Sequence, residues 1–237
     1  MKGSVPHVAV SAIIPVHNER RVLAGSVSKL EKALGSVSPD YEILIAEDGS
    51  DDGTLEAARG LSSPRVRIIH SEKRLGRGAT LSRAIRECRG DIIFYTDADL
   101  AADLRHLPEL LARVRGGADI ATGSRLTAGS RVAGRSAGRD FFSRGYNLMI
   151  RLLFASPVRD HQCGFKAFRR SAVLPLLPEI KDRHWFWDTE LLILARRRGF
   201  TISEIPVSWK GRKESSVRLP KDVIGMGLAA LRLRFSP

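Results

Sequence analysis

Apolar, β-branched runs that alternate with helix-period patterns constrain this chain more than any other feature. Residues 8–16 (VAVSAIIPV), 41–46 (YEILIA), 66–70 (VRIIH), 92–95 (IIFY) and 119–123 (DIATG) each read as a short buried strand. Between them come three sets at helical spacing: Leu23, Val27, Leu30 and Leu34; Leu81, Ala84, Ile85 and Cys88; and Leu104, Leu107, Leu111 and Val114. Strands separated by amphipathic helices are joined by crossovers rather than hairpins. The pattern therefore predicts an α/β fold with a mostly parallel central sheet flanked by helices. A further helix is expected around Phe142, Tyr146, Met149 and Leu153. A buried one at 191–195 is closed by Arg196, Arg197, Arg198 and Gly199, and residues 201–207 form the last strand.

Three of these strands run straight into acids and turn formers. Residues 92–95 lead to Asp97 and Asp99, separated by one alanine; residues 8–16 lead to HNE (17–19), and 41–46 to EDGSDDG. Two carboxylates so close repel each other, and a hard divalent cation would relieve the repulsion. The same pair also suits an acidic turn, with Asp103 as the N-cap of the following helix. Turn and cap roles are likewise open to Asp48, Ser50 and Asp52, but acids at the ends of neighbouring parallel strands favour a shared ligand crevice. The first strand is followed by PVHNER, without the G-x-G-x-x-G that a dinucleotide-binding fold needs for its pyrophosphate.

Charge narrows the partners. A formal net charge of +13 over 237 residues points to a polyanion: nucleic acid, an anionic membrane surface or phosphorylated small molecules. Six arginines (Arg125, Arg131, Arg135, Arg139, Arg144 and Arg151) fall within 27 positions that hold a single acid, Asp140. Aromatic residues are not interleaved with the basic run at 125–139, which argues against nucleic acid as a partner. The two cysteines, Cys88 and Cys163, lack metal-ligand spacing and are expected as buried thiols in a reducing compartment. No stretch reaches the roughly eighteen apolar residues of a membrane span, and no secretory leader is apparent, so a soluble or peripheral protein is expected.

Taken together, AIIPVHNE, AEDGSDDGT, GRGATLSRAI, DIIFYTDADL, ATGSR and RDHQCGFKAFRR resemble the inverting family 2 glycosyltransferases with the A-type nucleotide-sugar fold. More narrowly, they resemble polyprenyl- and dolichyl-phosphate sugar synthases, in the same order from about residue 8 to 217. QCGFK and WDTELLILARRRGFTISEIPVSW resemble the dolichyl-phosphate β-glucosyltransferase branch more than the mannosyl branch. The resemblance implies transfer of a hexose, glucose from UDP-glucose in preference to mannose from GDP-mannose, to a polyprenyl phosphate; a soluble acceptor is the other alternative. It further implies an Mg²⁺ or Mn²⁺ cofactor and a catalytic domain over 1–217. The apolar and basic residues of the tail predict an amphipathic helix within 218–237, suited either to lying in the plane of a membrane at its cytoplasmic face or to packing against the domain.

Position by position, the resemblance puts Pro15 and Glu19 in the nucleotide pocket and Asp48 on the uracil or ribose. Asp97 faces the sugar nucleotide, and Asp99 is the principal metal ligand. Arg125 and Arg139 clamp phosphates, with Ser143 assisting, and Asp160 and Gln162 lie on the acceptor side. Asp188 and Glu190, in HWFWDTE, hold a loop or the sugar hydroxyls. Two positions depart from the family pattern. Ala101 stands where mannosyl synthases carry a glutamine. Residues 213–217 read KESSV, so Ser216 replaces a phosphate-binding lysine, for which Lys210, Arg212 or Lys213 are candidate substitutes.

Overall fold

The computed structural model describes residues 8–211 and 221–235. In chain order the elements are β1 (Val8–Val16), α1 (Arg20–Gly35), β2 (Tyr41–Asp48), α2 (Thr54–Gly60), β3 (Val66–Ser71), α3 (Arg77–Glu87), β4 (Gly90–Thr96) and α4 (Leu107–Arg115). They continue with β5 (Ile120–Ser124), β6 (Arg131–Ala133), α5 (Ala137–Phe154), β7 (Phe165–Arg169), α6 (Arg170–Val173), α7 (Trp187–Arg197), β8 (Ile202–Pro206), β9 (Ser208–Lys210) and α8 (Lys221–Phe235).

Seven strands form one sheet in the order β3-β2-β1-β4-β7-β5-β8. Every pairing is parallel except those of β7, which runs antiparallel to both β4 and β5. Both faces are covered, as a parallel sheet requires. Alternate β1 residues point to opposite sides. Val10, Ala12 and Ile14 join Leu23, Leu30 and Leu34 of α1 and Leu107, Leu110 and Leu111 of α4 in one core, while Ile13 joins Leu81 and Ile85 of α3 and Trp187, Leu191 and Leu192 of α7 in the other. Each fully buried aliphatic side chain contributes about 1.5–3 kcal/mol, so this two-sided burial fixes the register.

Strand order runs outward from β1 through β2 and β3, then reverses to β4. In open α/β sheets such a reversal is where ligand crevices form, outside the carboxyl ends of the strands, and the acid-bearing loops follow those ends of β1, β2 and β4.

Beyond the short elements α2, β6 and α6, two features of the sheet were not anticipated. The FKAFR segment is a central strand, disguised because fully buried Lys166 interrupts its apolar pattern. The last predicted strand, 201–207, is β8 of the main sheet, and a further short strand follows it: β9, which pairs in parallel with β6. Backbone bonds from Lys210 to Ala101 O (2.8 Å) and from Asp103 to Ser208 O (2.9 Å) tie β9 to the loop after β4. Cys88 and Cys163 are buried free thiols, as expected, and burial pushes both up to about 12.

Candidate active site at the reversal of strand order

The loops after β1 and β2 are bound to each other. Asn18 adopts a left-handed conformation (φ 57°), which asparagine tolerates. Its side chain donates to Asp51 Oδ1 (2.8 Å) and accepts from the Asp51 amide (3.1 Å), while its own amide donates to Ser50 Oγ (3.0 Å). Glu19 begins α1, with its amide donating to Thr54 Oγ1 (2.9 Å), and Pro15 lies beside Ala46 in the β1–β2 ladder. Asp48 is buried, and its two oxygens accept the amides of Leu75 (2.6 Å) and Gly76 (3.0 Å), anchoring the loop that leads into α3. Beside it, Glu47 bonds His70 Nδ1 (2.5 Å) and the Ser50 amide (2.6 Å). Burial opposes ionisation of Glu47, but these bonds outweigh it and hold the carboxyl below its ordinary range.

The pair at the end of β4 sits on a tight turn. The Leu100 amide donates to Asp97 O (3.0 Å), and Leu100 itself has φ 49°, an uncommon conformation for a γ-branched residue. Asp97 is 43% exposed, and its Oδ1 accepts Arg77 Nη2 (2.8 Å) and Nε (3.2 Å). A Cβ on Gly164 would overlap Asp97 Oδ2, so glycine there leaves the room that the Asp97 carboxylate occupies. Arg77 reaches on to Asp188 Oδ2 (2.7 Å). Asp188, 2% exposed, is also held by Lys166 Nζ (3.0 Å) and accepts from the Tyr95 hydroxyl. Lys166 in turn donates to Cys163 O (2.5 Å) and His161 O (3.2 Å). A chain of alternating charge thus runs from the exposed Asp97 into the core. Burial disfavours the Asp188 carboxylate, yet the Lys166 and Arg77 charges and the Tyr95 bond hold its pKa low.

Asp99 Oδ1 accepts the Ala101 amide (3.1 Å). Among the described residues no group of three or more His, Cys, Asp or Glu side chains is placed to hold a metal. The protein can offer a cation two half-exposed carboxylates, an oxygen-only donor set that suits Mg²⁺ or Mn²⁺ when a bound phosphate and water complete the shell.

The arginine segment divides into fixed and open parts. Arg125 and the fully buried Asp160 form a bidentate pair (Nε–Oδ2 2.7 Å, Nη2–Oδ1 2.8 Å), reinforced by the Arg125 amide to Oδ2 (3.0 Å). Asp160 is therefore a holder of Arg125. Burial opposes its charge, but Arg125 more than compensates and lowers the pKa. Gln162 donates to Thr189 Oγ1 (2.7 Å), and its amide to Asp160 Oδ1 (3.1 Å). Arg139 and Ser143 lie half-buried on the first turns of α5, whose N-terminus is capped by Ser136. Lys210 is exposed at the end of β9, and Arg212, Lys213 and Ser216 lie outside the described residues.

A family model, Glycosyl transferase family 2, matches residues 11–176. The chain belongs to this family. It is 47% identical over 230 residues to Glycosyltransferase AglD from Haloferax volcanii, covering 95% of this chain but 37% of that protein's length. Dolichyl-phosphate beta-glucosyltransferase ALG5C from Trichomonas vaginalis is 30% identical, with 91% and 68% covered. The Saccharomyces cerevisiae dolichyl-phosphate beta-glucosyltransferase is 28% identical, with 97% and 75% covered. The fold matches glucosyl-3-phosphoglycerate synthase from Mycobacterium tuberculosis, crystallised with Mn²⁺, UDP and phosphoglyceric acid (TM-score 0.68, 19% identity, 96% and 78% covered). It also matches mannosyl-3-phosphoglycerate synthase from Rubrobacter xylanophilus (TM-score 0.67, 18% identity, 96% and 73% covered). The fold of this family 2 glycosyltransferase is the A type.

Beyond the site, α5 and α8 pack together through a small buried contact while each keeps an exposed apolar row. Phe141, Leu148 and Leu152 stand out on α5, and Ile224, Leu228, Leu231 and Phe235 on α8. A surface groove of about 560 Å³ runs along Gly145, Leu148, Met149, Leu152 and Leu153. No helix among the described residues is long and apolar enough to cross a membrane.

Of the expected site residues, Asp97 and Asp99 share the turn after β4, and Asp48, Glu19 and Pro15 share the β1–β2 end of the crevice. Arg77, Lys166 and Tyr95 join the site without a predicted role. For Lys166 a signal was present, since a lysine between Phe165 and Ala167 in an apolar stretch marks a cation bound for burial; the residues around Arg77 carry no such mark. Glu190 does hold a loop, accepting the amides of Lys181 (3.1 Å) and Asp182 (2.7 Å), whereas Asp188 secures the charge chain instead.

Proposed function

We propose that the chain is a metal-dependent inverting glycosyltransferase that moves glucose from UDP-glucose to a polyprenyl phosphate. The observation that carries this reading is the contrast between its acids. Asp97 and Asp99 stand half-exposed at the sheet's reversal point, while Asp160, beside the arginines, is buried and committed to Arg125. A lipid phosphate is already an anion at neutral pH and needs positioning rather than a general base. An acceptor hydroxyl would need a free base instead.

Asp99 and Asp97 are the residues that would hold Mg²⁺ or Mn²⁺, which when bound supplies Lewis-acid neutralisation of the departing diphosphate. Pro15, Glu19 and Asp48 line the nucleotide end. Asp48 keeps the Leu75–Gly76 loop in place, so its contact to the uracil or ribose uses lone pairs left by those two amides. Arg77 fixes Asp97 Oδ1, holding the half-exposed carboxylate in place for the sugar nucleotide. Arg125, Arg139, Ser143 and Lys210 attract and orient the acceptor phosphate, with Gln162 bracing the same wall. One phosphate oxygen attacks the anomeric carbon from the face opposite the nucleotide. The new C–O bond forms as the bond to UDP breaks, UDP departs with the electron pair, and the configuration inverts.

Similarity to dolichyl-phosphate β-glucosyltransferases supports glucose and a lipid acceptor. Exposed apolar rows on α5 and α8, with Arg144, Arg151, Arg232 and Arg234 exposed among them, support a catalytic unit over 1–217 resting on the cytoplasmic face of a membrane through these helices. Calorimetric titration with Mn²⁺ tests the donor side. UDP-glucose should bind, and Asp99→Ala should abolish the metal dependence. Tighter binding of GDP-mannose would move the assignment to mannosyl transfer, and metal-independent binding in both proteins would reject the site.

A further inference from the structure

The Trp209 indole, on β9, carries two guanidiniums over its ring, Arg125 at 5.7 Å and Arg135 at 5.5 Å from the centroid. The two cations differ in how they are neutralised. Arg125 is matched by Asp160 in a bidentate pair. Arg135, although its side chain is only 14% exposed, has its nearest carboxylate oxygen, Asp140 Oδ1, at 3.8 Å, and Asp140 is taken by Arg144 Nε at 2.7 Å. The Arg135 Nη1 is buried and has no hydrogen-bond partner among the described residues. A buried guanidinium donor left unmatched costs about 1–3 kcal/mol or more, a cost that an anionic ligand would remove.

We infer that Arg135, held over the same Trp209 ring as Arg125, is a phosphate-binding residue of the active site, taking an oxygen of a phosphate monoester or diphosphate. The inference rests on the phosphate chemistry of the proposed function and adds a residue to it. Three further observations support the geometry. Burial and the Arg125 charge lower the Arg135 pKa, the direction expected for a cation short of counter-charge. Arg135 directly precedes Ser136, the N-cap of the 18-residue α5, so the positive end of that helix adds to the same field. Finally, β9 bonds to Ala101 and Asp103 in the loop that carries Asp99, and β6 leads through Gly134 into Arg135. The stack therefore joins the metal-binding turn to the arginine segment. A phosphate bound there lies where donor and acceptor phosphates must meet.

Calorimetric titrations of the whole chain with three probes test this: inorganic pyrophosphate, farnesyl phosphate, and UDP with Mn²⁺. Removing a charge-assisted hydrogen bond should weaken at least one by about 10- to 100-fold in Arg135→Ala. Arg135→Lys should fall between, and Trp209→Leu should weaken the same probe by freeing the guanidinium. A selective loss for farnesyl phosphate places the acceptor phosphate on Arg135, and a selective loss for UDP places the donor diphosphate there. Arg131→Ala, which removes an exposed arginine of β6, serves as the control for charge alone. Equal binding in wild type and Arg135→Ala for all three probes, including no binding in either, overturns the inference, as does an equal loss in Arg131→Ala. Wild-type protein that binds pyrophosphate through Arg135 but transfers no sugar would overturn the proposed function and leave the subsite standing.

Discussion

Asp188 is the acid on which the core side of the site turns, and its removal makes a quantitative test. Its carboxylate balances two buried cations, Arg77 (2.7 Å) and Lys166 (3.0 Å), and accepts the Tyr95 hydroxyl. Asp188→Ala leaves both cations without their shared partner inside the protein. Breaking a buried pair in this way costs about 3–5 kcal/mol, a large part of a typical domain's roughly 5–15 kcal/mol. Lys166→Met removes one cation while Arg77 still pairs with Asp188, so it should cost less, about 1–3 kcal/mol, chiefly from the carbonyls of Cys163 and His161 left without their donor. Once Asp188 is gone, deleting Lys166 removes an uncompensated charge. The double variant should therefore be more stable than the sum of the singles predicts, by well over about 0.5 kcal/mol. Urea denaturation followed by circular dichroism measures all three. Because the folded Asp188 pKa lies below the unfolded value near 3.9, its contribution is fully present above that pH and is lost as the pH falls through the lower folded value. Asp188→Ala should flatten that part of the acid limb. Additive single and double variants, or a loss below about 1 kcal/mol for Asp188→Ala, would refute the charge chain.

Gly164→Ala should push Asp97 aside, since the new Cβ overlaps Oδ2, and lower transfer about 100-fold with little change in Tm; full activity would show that the turn relaxes freely. His161 is buried against Ser156 and Asn147, and burial pushes its pKa down to about 4. Stability should therefore decline as the pH falls from about 6.5 toward 4, and His161→Gln should flatten that slope in pH-dependent melting. Leu228→Asp with Leu231→Asp, on the exposed row of α8, should reduce co-sedimentation with anionic vesicles several-fold while leaving Tm unchanged, and undiminished sedimentation would remove α8 from the membrane contact.

The fold was largely legible because a parallel sheet buried on both faces writes itself as β-branched runs between amphipathic helices. β1 through β5 and their helices follow that grammar. Lys166 broke it, since a charge inside a strand reads as a loop until its partner, 22 residues later in HWFWDTE, is known. In the candidate site, the placement of Asp48, Asp97 and Asp99 at strand ends was legible. The site was not legible where one charge exists to hold another. Asp160 reads as a functional acid by sequence yet spends both oxygens on Arg125, and Arg77 reads as one more surface arginine yet fixes Asp97. Such pairings join residues far apart in the chain, such as Arg77 and Asp188, and only the packed sheet brings them together.

Sugar transfer to a lipid phosphate is the claim most directly open to measurement. Mass spectrometry of a short polyprenyl phosphate incubated with the protein, Mn²⁺ and a panel of nucleotide sugars reads it in one experiment. A lipid product heavier by one hexose is expected with UDP-glucose and is expected to be absent with Asp99→Ala. An unmodified lipid with every donor, under conditions where the protein hydrolyses UDP-glucose or glucosylates a soluble acceptor, would contradict it.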